Sequence, residues 1–139
     1  MFDLTALTIL VRWLHLVCMA VLVGGAIFGR LVMTRTIGAA APEARDALAD
    51  RAAVFCRPLM IAAIAGQVLS GFYKFFFTSG HSLHHNILFG VKIALALHVF
   101  AAVLLVARSG NPRRRHMLTG MVISGLAIVL ISAWLSRIY

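Results

Sequence analysis

The sequence predicts an all-α integral membrane protein, a single domain over residues 1–139 folded as an up-down-up-down bundle of four transmembrane helices with both termini on the outer side. Three observations predict it. The chain is 62% hydrophobic and only 12% charged, which leaves too little polar surface to hold it in water. Four stretches, at about 7–33, 58–77, 87–107 and 117–136, supply the roughly 20 apolar residues that a helix needs to cross the hydrocarbon. All four acids, Asp3, Glu43, Asp46 and Asp50, fall outside those stretches.

The first stretch is longer than a bilayer requires. Its opening turns, up to Arg12 and Trp13, are therefore expected at the outer headgroups, with Trp13 as an interfacial anchor. Its likeness to a secretory signal, with Ala39 to Ala41 as small residues beyond it, fails at Asp3, where such a signal carries positive charge. Pro42-Glu43 reads as a helix start, with a proline and an acid in the first turn. Glu43, Arg45, Asp46, Asp50 and Arg51 mark a polar cytoplasmic extension from residue 42 that enters the membrane near Pro58, where a kink is expected.

Ser79-Gly80 ends the second span, and the loop over Thr78–Asn86, which carries HSLHHN, leads into the third. Ser109-Gly110-Asn111-Pro112 is a turn before the basic run and the fourth span. Such short connections make consecutive helices antiparallel neighbours. Small residues mark the expected contact faces: Gly25 and Gly29, then Gly66 and Ser70, then Gly90, Ala94 and Ala101, then Gly120, Ser124 and Gly125. The glycine-bearing faces also offer a homodimer contact.

The net charge of +9 is placed by a membrane and not by nucleic acid. Arg30, Arg35, Arg45, Arg51 and Arg57 lie around the first connection, and Arg108 and Arg113 to Arg115 around the third. In a four-span serpentine those two connections share a side, which the positive-inside rule makes cytoplasmic. The expected location is a bacterial inner membrane, with the termini and the histidine loop outside. Cys18 and Cys56 then fall at opposite ends of their helices, too far apart for a disulfide.

Ionisable groups inside a span are costly, so each is informative. At about 1.5 Å per residue, His15 lies about 22 Å above Arg30, Lys74 about 25 Å above Arg57 and Lys92 about 24 Å above Arg108. With Arg12 slightly higher, three helices present basic groups in one layer of the outer third. His98 is deeper, about 15 Å above Arg108. Snorkelling to the headgroups accounts for Arg12, Lys74 and Lys92 taken singly. His15 is too short to snorkel far, and it shares a helical face with Cys18, Met19, Leu22, Gly25, Ala26 and Gly29. His98 shares one with Ala94, Ala101 and Ala102, so both histidines are expected to face inward.

Two chemistries suit inward histidines beneath a cationic rim. In one, a porphyrin lies between helices, His15 ligates its iron with either His98, favoured by its helical face, or Lys92, favoured by depth, as the second ligand, and its propionates pair with Arg12, Lys74 or Lys92. In the other, His15, Cys18 and Met19, spaced i, i+3 and i+4, offer one nitrogen and two sulfurs to Cu(I), which His81, His84 and His85 collect outside. The cationic layer weighs against copper. A structural subunit whose histidines only bond between helices is the third possibility. Ser-His-Asp hydrolysis is unsupported, because Asp3 is the one outer acid, and CxxC, HExxH and phosphate-loop motifs are absent.

The segment RWLHLVCMAVLVGGAIFGRLVM, residues 12–33, resembles the first helix of the family of HemJ-type protoporphyrinogen oxidases and CopD-type copper-resistance membrane proteins. The matching features are a basic residue three before His15, Gly24 or Gly25, Phe28 and Arg30-Leu31. FGVKIALAL, residues 89–97, is similar to that group's third-helix pattern, with Lys92 at its lysine. The Asn-Glu-x-Pro pattern of the oxidases is absent from RRRHMLTGMV at the start of the fourth span. The resemblance implies His15 as a haem b ligand and Lys92 as a haem-associated or catalytic group. The expected activity is oxidoreductase chemistry, either electron transfer with a redox partner or oxidation of a porphyrin substrate.

Overall fold

The computed structural model describes residues 4–77, 83–108 and 110–138. Its elements are α1 (Leu4–Phe28), a π-helical turn (Gly29–Met33), α2 (Thr34–Gly38), α3 (Pro42–Phe77), α4 (Leu83–Val106) and α5 (Arg114–Ile138). Four helices are long and apolar enough to cross a membrane, the first running on through the π turn and α2. The described residues form an all-helical bundle in which α1 packs on α3 and α5, and α5 on α4; α3 and α4 touch only sparingly.

The core is thin and built of small or medium side chains. Cys18, Leu22 and Ala26 of α1 meet Ala63 of α3, Val99, Ala102 and Val103 of α4, and Met121 and Ile128 of α5. Phe28, Phe55, Phe76, Leu130 and both tryptophans stay exposed. That inversion suits lipid. Acyl chains solvate large apolar groups at no cost, so helices associate through close van der Waals contact, which small residues allow.

Three glycines carry the closest approaches. A Cβ on Gly25 would run into the end of the Met60 side chain, one on Gly66 would come within 2.5 Å of Cys18 Sγ, and one on Gly125 within 2.9 Å of Val23 Cγ2. These three positions, expected as contact faces, are thus occupied within the bundle. Gly90 is not: a Cβ there meets nothing within 4 Å.

Several boundaries differ from the sequence expectation. The first helix continues past Met33 to Gly38, because Thr34 Oγ1 donates to Gly29 O (2.9 Å) and Thr36 Oγ1 to Val32 O (3.1 Å), so both threonines turn their hydroxyls back into the helix. α3 itself holds the extension from Pro42 and the span to Phe77 in one helix, with Pro58 inside it, so no boundary shifts there. α4 begins at Leu83, so His84 and His85 belong to its first turn and not to a loop, while His81 lies outside the described residues.

The Gly110-Asn111-Pro112 turn forms where expected, with Gly110 at φ +67°, a conformation that needs glycine. Asn111 fastens it, donating from Nδ2 to Leu105 O (2.9 Å) and accepting from Arg113 N (2.9 Å). Asp50 of the α3 extension clasps the same turn. It accepts from Arg114 Nη2 at 2.8 Å and from Gly110 N at 3.3 Å. Arg30 Nε reaches Thr119 Oγ1 at 2.8 Å, joining α1 to α5 at the same end.

Candidate functional site: a histidine held between two helices

His15 is half-buried on α1 and faces α3, as its neighbours Cys18, Leu22 and Ala26 dictate. Its Nδ1 lies 2.8 Å from Ser70 Oγ and its Nε2 lies 3.1 Å from Gln67 Nε2. Ser70 Oγ in turn donates within α3, to Gly66 O at 2.6 Å. A hydroxyl has one proton to give, so Ser70 accepts from His15. The network therefore puts the imidazole proton on Nδ1 and leaves Nε2 with a lone pair that receives the Gln67 amide.

Gln67 is itself unusual. It is buried within the span, and its Oε1 has no hydrogen-bond partner among the described residues. Its Nε2 also approaches Met19 Sδ at 3.8 Å. One amide thus meets both a histidine nitrogen and a methionine sulfur from α1. Cys18, between them in sequence, turns its sulfur against Gly66 instead.

The basic layer exists around this network. Lys74 and Lys92 stand close enough to act on His15 electrostatically, and Arg12 on Lys74. Lys92 is half-buried; Arg12 and Lys74 are more exposed. Among the described residues the acids, Glu43, Asp46 and Asp50, lie at the opposite end of α3 from Lys74.

His98 does not join them. It is exposed, with its Nε2 3.4 Å from the position of a Cβ on Gly120. It lines a groove of about 300 Å³ between α4 and α5, together with Arg113, His116 and Met117. The expectation of an inward His98 is therefore corrected. The buried face of α4 carries Val99, Ala102 and Val103, while Ala94 and Ala101 are exposed. The reason is complementarity: α5 contributes Gly120, Ser124 and Gly125, so α4 can turn its valines inward. At 100° per residue this face includes Lys92, and His98 falls about a quarter-turn away.

Gln67 was not singled out by the sequence reading, and Ser70 entered it only as a small residue. The available signal was the cost of an amide in a span, which is met only by a partner on another helix. Among the described residues, no three His, Cys, Asp or Glu side chains gather as a metal site. Compared with protein-family models, curated proteins and solved structures, the chain finds no match.

Proposed function

We propose that this is a haem b-binding protein of a bacterial inner membrane, with His15 as the residue that would hold the iron and with electron transfer or porphyrinogen oxidation near the outer face as its activity. The observation that carries the reading is the split role of the His15 ring. Nδ1–H is anchored on Ser70, and the Nε2 lone pair, which receives the Gln67 amide, is held near the basic groups Lys74 and Lys92. Metal-bound histidines are oriented in this way through their second nitrogen.

The donor set fits the group on a second count. Gln67 Oε1 is a buried polar atom without a partner, so its amide gains by rearranging. Lys92 faces the layer from α4 and, with Arg12 and Lys74, is assigned to the propionates. When bound, the haem supplies one-electron chemistry at its iron. The protein's part is to present Nε2, to neutralise two carboxylates at the water boundary and to surround the ring with apolar helices. The likeness of residues 12–33 and 89–97 to the HemJ/CopD family supports the same assignment, and the basic connections support the outward orientation of this layer.

Cu(I) binding is the second reading, favoured by one observation: His15 Nε2 and Met19 Sδ converge on the same amide. A spectrum of the detergent-purified protein, with and without dithionite and with metal analysis, separates the two. Haem gives a Soret band with a redox-dependent shift. With His98 turned away, carbon monoxide is expected to shift the reduced band, because His15 is then the one histidine among the described side chains set to ligate the iron. His15→Ala is expected to remove most of the haem while helical content is kept. A colourless protein that retains stoichiometric copper favours the second reading; a protein that holds neither leaves the His15 network as an interhelical fastener.

A further inference from the structure

The opposite, basic half of the bundle holds a cleft of about 690 Å³ lined by α1, α3, α4 and α5, within the size range of ligand sites. Its walls are apolar for most of its depth. Val21 marks the deep end, about 14 Å from Arg30 along α1 in the direction of His15. Charge is confined to the mouth, where Arg57, Arg114, Arg115 and Asp46 line it. Arg114 is already committed to Asp50 and to the carbonyls of Val106 and Arg108. Arg57 and Arg115 are exposed, and their guanidinium groups make no hydrogen bond or ion pair among the described residues, which leaves two guanidiniums against the single carboxylate of Asp46.

Cys56 shows that the cleft opens on the inner side of α3. It lies two turns before Ala63, a core residue, and so on the same face; yet Cys56 is exposed where Ala63 is buried. Small residues, Ala49 and Ala53 among them, leave the space there. α3 and α4, which both line the cleft, touch only sparingly, so an acyl chain has a lateral entry from the bilayer.

We infer that this cleft binds one anionic glycerophospholipid of the leaflet at the basic end, an acyl chain lying along the apolar walls and the phosphate paired with Arg57 and Arg115. Basic pockets between spanning helices recognise lipids in this way, and guanidinium is suited to phosphate. A zwitterionic lipid brings its own cation to the same two arginines, so the site discriminates by headgroup charge. The inference does not rest on the reading at His15, which concerns the other end of the molecule.

The test is native mass spectrometry of the detergent-purified protein titrated with phosphatidylglycerol or phosphatidylcholine of identical chains. One phosphatidylglycerol is expected to be retained, with roughly tenfold preference from two surface arginines. Arg57→Gln with Arg115→Gln should abolish that preference. Cys56→Phe should remove retention of both lipids, whereas Cys56→Ala should keep it, and bound phosphatidylglycerol should slow alkylation of Cys56. Inorganic phosphate at equal concentration should not compete.

Equal retention of the two lipids, unchanged retention in the arginine variant, or competition by inorganic phosphate overturns the inference. The arginine variant decides the matter even if Cys56→Phe fails to fold. Loss of a Soret band together with lipid in a Cys56→Phe protein that keeps its helical content also overturns it, since the cleft would then hold a tetrapyrrole; a missing Soret band in the parent protein with lipid retained sinks only the haem reading.

Discussion

At His15 the two ring nitrogens are put to different uses, and the substitutions that separate them follow from that division. Ser70→Ala removes the acceptor for Nδ1–H, so the ring is free to turn and its tautomer is no longer fixed. Retained haem, read from the Soret absorbance per protein, is expected to fall roughly tenfold or more, the scale seen when partners of metal-bound histidines are lost. The bundle itself should lose only about 1 kcal/mol, since a single interhelical hydrogen bond in a membrane contributes no more. Gln67→Leu has two opposed effects. It removes a buried carbonyl oxygen that has no partner among the described residues, but also the hydrogen bond to His15 Nε2, so the melting temperature of the ligand-free protein is expected to change little. A drop of several degrees would mean that the bond to His15 outweighs the unpartnered oxygen. His15 was legible as an inward residue because its neighbours at helical spacing are small. Gln67 was passed over because its importance lies in what α1 places opposite it, and that needs the two helices side by side.

Between elements, stability rests on a few close approaches. A Cβ on Gly125 meets Val23, whose β-branched side chain has little rotamer freedom within a helix, so Gly125→Ala is expected to cost about 1–3 kcal/mol. Gly24→Ala is the control: a Cβ there meets nothing within 4 Å, and the melting temperature should stay level or rise slightly through helix propensity. At the basic end, outside the spanning segments, the hydrogen bond from Arg114 and then that from Gly110 N hold the Asp50 carboxyl below the usual carboxylate range. A depressed acid stabilises the fold above its unfolded-state value, and the contribution disappears as pH falls through its lowered folded value. Asp50→Asn should therefore lower the melting temperature at neutral pH and flatten its decline in acid, as measured by circular dichroism across pH. The turn at Gly110 was readable from its residue types. The clasp on it was not, because Asp50 and Arg114 are 64 positions apart.

For the molecule as a whole, the basic connections predict which way the bundle faces. A cysteine at Ala41, in a Cys18→Ala, Cys56→Ala background, is expected to resist an impermeant maleimide in intact cells and to react after permeabilisation. Labelling in intact cells would reverse the orientation and move the His15 layer to the cytoplasmic side. The sparing contact between α3 and α4 gives the bundle a seam, and near its histidine end Phe75 and Phe89 stack across it with ring centroids 5.2 Å apart. The lipid proposal draws on that looseness at the arginine-rimmed end of the seam.

Composition and hydrophobic run length by themselves determined that this chain is a helical membrane protein with four spans. A bilayer leaves a long apolar segment no other way to satisfy its backbone, so that conclusion needs no knowledge of contacts. The layer of basic groups was equally readable, because depth follows from counting residues along a helix. Which face of each helix turns inward was decided only by the tertiary structure. In lipid, large and small apolar residues are solvated alike, so inwardness is set by the fit between two helices and not by the polarity of one. Small residues on α4 pointed to His98, whereas the glycines of α5 admitted Val99 and Val103 and brought Lys92 inward in its place.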